Sequence, residues 1–365
     1  MTPAANDFLR VDDLRVHFAG KRTLLKSATK PVRAVNGVSF TIPRGRTLGL
    51  VGESGSGKST IARAILRLVP ATSGEIRVGD LDVGGLSGSE LKDYRKVVQV
   101  VFQDPYSSLN PSHTVSRIVG ELITEHRGIK PGAERDGLVA ELIDQVGLGR
   151  HMLERFPHEL SGGQRQRVAI ARALSVEPDL IVCDEATSAL DVSIQSQVIN
   201  LLKEIQQRTN VSYLFIAHDL AVVRHISHDT GVLYLGYLVE DGPADRVSTQ
   251  PAHPYTAMLN AAEPVPEPSR QKELARMRRA LAVEGEPPSP VDLPPGCPFA
   301  SRCSLVMDIC RQEMPDATAV DGGGTVRCHV HTSGPKLNGG SVLSLLNDRG
   351  AVEASSGVST EMGEQ

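Results

Sequence analysis

Thirteen residues constrain this chain more than any other stretch. The segment LGLVGESGSGKST, Leu48 to Thr60, puts a short apolar strand directly before Gly52, Gly55, Gly57, Lys58 and Ser59, and an apolar-periodic stretch, Ile61 to Leu68, directly after. A G-x4-G-K-S run between a strand and a helix turns successive backbone N–H groups inward, aims the helix's positive end at the same point and adds the Lys58 charge. That arrangement suits the β- and γ-phosphates of ATP or GTP, with Ser59 placed to hold Mg2+. A second strand, in PDLIVCDEATSALD, ends in Asp184 and Glu185. Asp184 is the expected Mg2+ partner through water, and Glu185 can polarise the attacking water. Cys183, inside that strand, reads as a small core residue.

Apolar runs of strand length (Leu48 to Val51, Val97 to Val101, Leu180 to Cys183, Tyr213 to Ala217) alternate with amphipathic, helix-length segments. The pattern predicts a mainly parallel sheet in one α/β domain over residues 1–250. Eleven of the 23 prolines lie between Pro251 and Pro298, marking a different regime. Residues 251–331 read as a Pro-rich extension, within which Pro294 to His331 is too short and too rich in Pro and Gly for a core of its own and needs a staple or a host surface. Residues 332–365 are expected to be disordered, with Val342 to Leu346 as the one amphipathic patch.

The charge balance, 39 Lys and Arg against 43 Asp and Glu, gives no basic field for nucleic acid. No apolar run approaches the ~20 residues of a membrane helix, so any pore must be made by other chains. The first residues carry no secretory pattern, and a reducing cytoplasm is the expected setting for the five cysteines.

Between the two nucleotide motifs, LSGGQRQRVAIARAL gives Ser161 and Gln164 capping-box spacing before a helix with apolar Val168, Ala171 and Leu174. Gly162 and Gly163 expose N–H groups at its start, a second anion-binding helix end. LSGGQ resembles the signature of ATP-binding cassette (ABC) ATPases, and the other elements follow in family order. Gln103 in VFQDPYSSLNP resembles the Q-loop, Ser188 to Asp191 the D-loop, and His218 in IAHDL the switch histidine. The resemblance implies a P-loop NTPase fold with a helical subdomain between Gln103 and about Glu154, where a membrane subunit docks. It implies catalytic roles for Glu185, His218 and Gln103, and Mg2+ held by Ser59, Gln103 and Asp184. ATP would be bound by Gly52, Ser54, Gly55, Gly57, Lys58, Ser59 and Thr60 of one cassette and by Ser161, Gly162, Gly163 and Gln164 of another, packed head to tail. Phe18 is the candidate for stacking on adenine, with His17 second and a core role for Phe18 as the alternative. The stretch Ala19 to Arg33 departs from the compact family pattern and reads as a solvated loop.

VRAVNGVSFTIPRGRTLGLVGESGSGKST, FPHELSGGQRQR and HPYTAML (His253 to Leu259) narrow the resemblance to the ATP-binding subunits of dipeptide and oligopeptide permeases, over roughly Leu9 to His331. Entry through VRAVNGVSF looks like the second of the two ATPase types paired in such systems. The implied partners are a paralogous cassette, two membrane permease subunits and an extracytoplasmic binding protein, with this chain peripheral on the cytoplasmic face. Nickel and glutathione importers share most of these residues, and a soluble cassette of DNA repair or translation is the remaining alternative.

Cys297, Cys303, Cys310 and Cys328 are spaced C-x5-C-x6-C-x17-C, which suggests a metal staple but names no metal. Resemblance of the C-P-F-x3-C pattern to peptide-permease extensions implies a [4Fe-4S] cluster, with Zn2+ and unligated or disulfide-forming thiols as the alternatives and His329 and His331 as spare ligands.

Overall fold

A computed structural model of the chain describes residues 7–20, 30–188, 190–262, 285–334 and 339–345, with isolated positions at 269, 271, 272, 275 and 337. Residues 21–29, most of the loop expected to be solvated, lie outside the described residues, as do 346–365.

The main sheet has eight strands. From edge to edge they are Thr318–Ala319, Thr325–Val326, Tyr237–Pro243, Asp229–Tyr234, Thr47–Val51, Ser212–Ile216, Leu180–Asp184 and Val98–Val101. The last five are parallel, and four of them coincide with the apolar runs legible in the sequence. The three central ones are buried almost throughout because both faces are covered, one by helices and the other by the helix Lys58–Ile65 and a second sheet, which is why they read as continuous rather than alternating apolar runs. Parallel pairing also fixes where chemistry can occur, since all five strands end on the same side.

The expectation of one mainly parallel sheet needs correcting in two places. Tyr237–Pro243 and the two short strands beyond it are antiparallel additions. A separate four-stranded antiparallel sheet, in the order Val32–Pro43, Asp7–Phe18, Ser73–Val78, Leu81–Asp82, carries its own apolar face. Leu9, Val11, Leu14 and Val16 point inward along Asp7–Phe18, whose register against Val32–Pro43 shifts at several places, one of them at Asp13, which takes φ 43°. This face packs with Ile61 and Ile65 of the helix Lys58–Ile65, whose start is therefore clamped between two sheets.

On the opposite flank Val115–Leu122, Ala133–Gln145 and Gly162–Leu174 form the helical subdomain. Val119, Ile123, Val139, Ile143 and Val168 close its interior. Among the described residues no helix is long and apolar enough to cross a membrane.

Among the described residues the extension has no core separate from the cassette's. Phe299, Cys297, Cys303, Cys310, Val326 and Cys328 belong to the same buried cluster as Val51, Tyr234 and Tyr255. Its hairpin continues the main sheet, Val326 pairing with Glu240. The host surface anticipated from its size is thus the cassette's own sheet edge. Part of the tail expected to be disordered is also packed: Val342 is buried and donates its N–H to Pro251 O at 3.0 Å, with Ser341 Oγ donating to the same carbonyl at 2.9 Å.

Candidate active site

Register places the site. Leu50 and Asp184 both pair with Ile216, and Val101 pairs with Cys183, so Gly52, Asp184, Glu185, Gln103 and His218 all fall at the carboxyl ends of neighbouring parallel strands. Two further backbone bonds lock this edge, Ala217 N–H to Leu50 O at 3.1 Å and Glu185 N–H to Ile216 O at 3.0 Å. Glu185 has φ 50°, the left-handed region that residues with a side chain rarely enter. Such a conformation persists only where its surroundings enforce it, here the locked strand ends and Ser188, whose Oγ donates to Glu185 O at 3.0 Å.

The loop between Gly52 and Ser59 wraps as its glycines predict. Gly55 has φ 79° with open space where a Cβ would lie. Lys58 is buried and turned into the loop, donating to Gly52 O at 2.7 Å and Glu53 O at 3.0 Å. Burial lowers its pKa, opposed by the nearby charges of Glu185, Asp184 and Glu53. Ser59 Oγ donates to Asp184 Oδ1 at 2.8 Å, so the two oxygens expected around Mg2+ are already in contact. Asp184 is raised by burial first and by Glu185 beside it, against the Ser59 hydrogen bond and the charges of Arg63 and Lys58. A divalent ion between Ser59 and Asp184 would relieve that cost, and the hard oxygen donors suit it. Gln103 and His218 are exposed just past their strands.

The signature residues form a reciprocal capping box: Gln164 N–H donates to Ser161 Oγ at 3.3 Å and Ser161 N–H to Gln164 Oε1 at 2.9 Å. Gly163 has a packing reason to be glycine, since a Cβ there would lie 2.5 Å from Ile194 Cγ2. Phe18 is 39% exposed at its strand end, which sets aside a core role and leaves its ring available. His17 is engaged, its ring Nε2 lying 3.2 Å from Asn36 Oδ1. Cys183 is fully buried, its thiol pushed up to about 12 by burial, and it is a core residue as expected.

Sequence reasoning missed the partners of Glu53. Tyr255 Oη, from the HPYTAML motif, accepts the Glu53 N–H at 2.8 Å. Arg302, between Cys297 and Cys303, donates to both Glu53 oxygens at 2.8 and 2.9 Å, and to Tyr234 Oη at 3.2 Å. Phe299 packs between Tyr234 and Tyr255, with ring centroids 5.3 and 5.4 Å away.

The four extension cysteines are all buried, and none of them is in a disulfide. Burial pushes Cys297 up to about 12 and Cys328 well above the ordinary thiol value, and the neighbouring thiols add to both shifts. Among the described residues, however, no three His, Cys, Asp or Glu side chains group closely enough to hold one metal ion. Neither the expected [4Fe-4S] cluster nor the zinc alternative, which requires four sulfurs about 2.3 Å from a shared centre, gains support from this arrangement. The spare histidines are occupied: His329 Nε2 lies 3.0 Å from Glu313 O and His331 Nε2 2.8 Å from Ala252 O.

A phosphate loop, an acidic strand end and a capped glycine-rich helix on one parallel sheet define an ABC-type ATP-binding cassette. The ABC transporter family model matches residues 35–188, and the model of the oligopeptide/dipeptide transporter C-terminal region matches 239–310. The oligopeptide transport ATP-binding protein OppF of Salmonella typhimurium is 47% identical over 311 residues, 84% of this chain and 91% of that protein. The di/tripeptide transport ATP-binding protein DppF of Pseudomonas aeruginosa is 43% identical over 323 residues, 88% and 97% of the two chains. Among solved structures, the dimeric cassette MJ0796 in a post-hydrolysis state with ADP and Pi matches with TM-score 0.56 and 28% identity, covering 65% of this chain and 98% of that one. The chain belongs to the ATP-binding proteins of oligopeptide and dipeptide ABC transporters, and its enzymatic activity is ATP hydrolysis.

Proposed function

We propose that this chain hydrolyses ATP to drive import of dipeptides or oligopeptides through two partner membrane permease subunits supplied by an extracytoplasmic binding protein, while lying peripherally on the cytoplasmic face. The observation that carries this reading is the joining, in one buried core, of an ABC cassette to the oligopeptide/dipeptide C-terminal region at residues 239–310.

In this reading Lys58 exchanges the Gly52 and Glu53 carbonyls for phosphate oxygens of ATP, a charge-assisted bond replacing two neutral acceptors. The N–H groups around Gly52, Ser54, Gly55, Gly57 and Thr60 hold the remaining phosphate oxygens. Ser59, Asp184 and Gln103 would hold Mg2+, which neutralises developing phosphate charge. Glu185 accepts a proton from the attacking water, and His218 orients the γ-phosphate. Ser161, Gly162, Gly163 and Gln164 close the site of a second, paralogous cassette, and Phe18 stacks on adenine. Turnover of the assembled transporter should rise when peptide-loaded binding protein is added, and deletion of the chain should abolish uptake of labelled dipeptide. Undiminished uptake in the deletion strain would refute the assignment.

Cys297, Cys303, Cys310 and Cys328 are proposed to hold a [4Fe-4S] group, which would supply a structural cross-link. The sulfur-only donor set, with Cys297, Cys303 and Cys310 near enough to raise the Cys328 thiol, supports this. A cluster of several atoms also needs more widely spaced thiols than one ion does. Anaerobically purified chain should carry iron and acid-labile sulfide in equal amounts, and their absence would remove the proposal.

A further inference from the structure

Glu53 is an acid placed one residue after Gly52, inside the loop that receives phosphates. A free carboxylate there would repel a triphosphate and compete with it for Lys58. It is not free. Arg302 grips both of its oxygens in the fork geometry that only arginine provides, and Tyr255 fixes its backbone N–H. Both partners of this ion pair are largely enclosed, with side chains 14% and 31% exposed for Arg302 and Glu53. Screening by solvent is correspondingly reduced.

Arg302 is itself held by the extension. Its N–H donates to Phe299 O at 3.0 Å, Phe299 is fully buried against Tyr234 and Tyr255, and Cys297 N–H is tied to Cys310 O at 2.8 Å. We propose that Arg302 is a positioning residue for ATP binding, drawing the Glu53 carboxylate out of the phosphate site so that the C-terminal extension sets the charge and shape of the cassette's phosphate loop. Because coupling between two sites is reciprocal, nucleotide in the loop must also stabilise the segment that carries Arg302.

The inference rests on the loop being the nucleotide site, and Lys58→Ala tests that reading by itself through loss of ATP binding. For the coupling, the full chain in its assembled transporter is compared with Arg302→Ala, Glu53→Gln and the double variant. Arg302→Ala should raise KM for ATP about tenfold with kcat within about twofold, the signature of lost uniform binding. Adding Glu53→Gln to Arg302→Ala should bring KM back to within about threefold of the unaltered chain, because the charge that needed a partner is gone. A merely structural contact predicts no recovery in the double variant, and that result would overturn the proposal. A measurement on the unaltered chain covers the case in which Arg302→Ala does not fold: amide exchange at residues 297–303 should slow when ATP and Mg2+ are added, and unchanged exchange sinks the idea.

Discussion

The strand-end site and the extension differ in how their polar groups are held. At the strand ends, Lys58, Ser59, Asp184 and Glu185 come from two short segments, and Lys58 and Ser59 donate to Gly52 O, Glu53 O and Asp184 Oδ1, partners that nucleotide and ion are to replace. Where the extension attaches, the backbone is paired to the sheet by a buried carboxylate. Glu240, buried completely, accepts from Arg246, from Ala252 N–H at 2.9 Å and from His253 N–H at 2.8 Å, pinning the start of the extension to the sheet. Its burial raises its pKa, and the Arg246 charge opposes the rise. One region holds its donors in bonds that substrate is to exchange, and the other commits them to attachment. A substitution in the first should therefore change chemistry, and one in the second should change stability.

The largest effect should come from Glu240→Ala, which strands the buried Arg246 without a counter-charge. A loss of about 3–5 kcal/mol is expected, read as a lower denaturation midpoint, and a stability within experimental error of the unaltered chain would break the contrast. Glu185→Gln should cut turnover by at least ~10^2, about 2.7 kcal/mol in the barrier, with ATP binding and thermal stability retained. Near-normal turnover would remove Glu185 from its role. The smallest effect is the tenfold change in KM for Arg302→Ala, about 1.4 kcal/mol. That residue belongs to both regions, so a stability loss without a KM change would return it to the structural side.

The readability of these regions follows from the range of their interactions. The loop Gly52–Ser59 is flanked by its own strand and helix, and Ser161 caps a helix three residues away, so nearest neighbours carry the pattern. The resemblance in HPYTAML lay in plain view, yet the motif gave no reason for its tyrosine until Tyr255 was seen against Glu53. The antiparallel sheet escaped notice because bulges such as that at Asp13 interrupt its alternation. The packing of Val342 onto Pro251 was equally hidden, since the amphipathic patch at Val342 to Leu346 marks a face to bury but not the distant segment that covers it.

By itself the sequence determined the parallel strands, the phosphate loop, the acidic strand end, the capped signature helix and the burial of Cys183. Each depends on residues adjacent in the chain or on plain apolar burial. Only the tertiary structure decided that the extension shares the cassette's core and that both spare histidines are committed to backbone carbonyls. It also decided that Arg302 meets Glu53 across 249 positions. A contact over that separation leaves no local pattern, because its geometry is fixed by the sheet edge on which the extension docks.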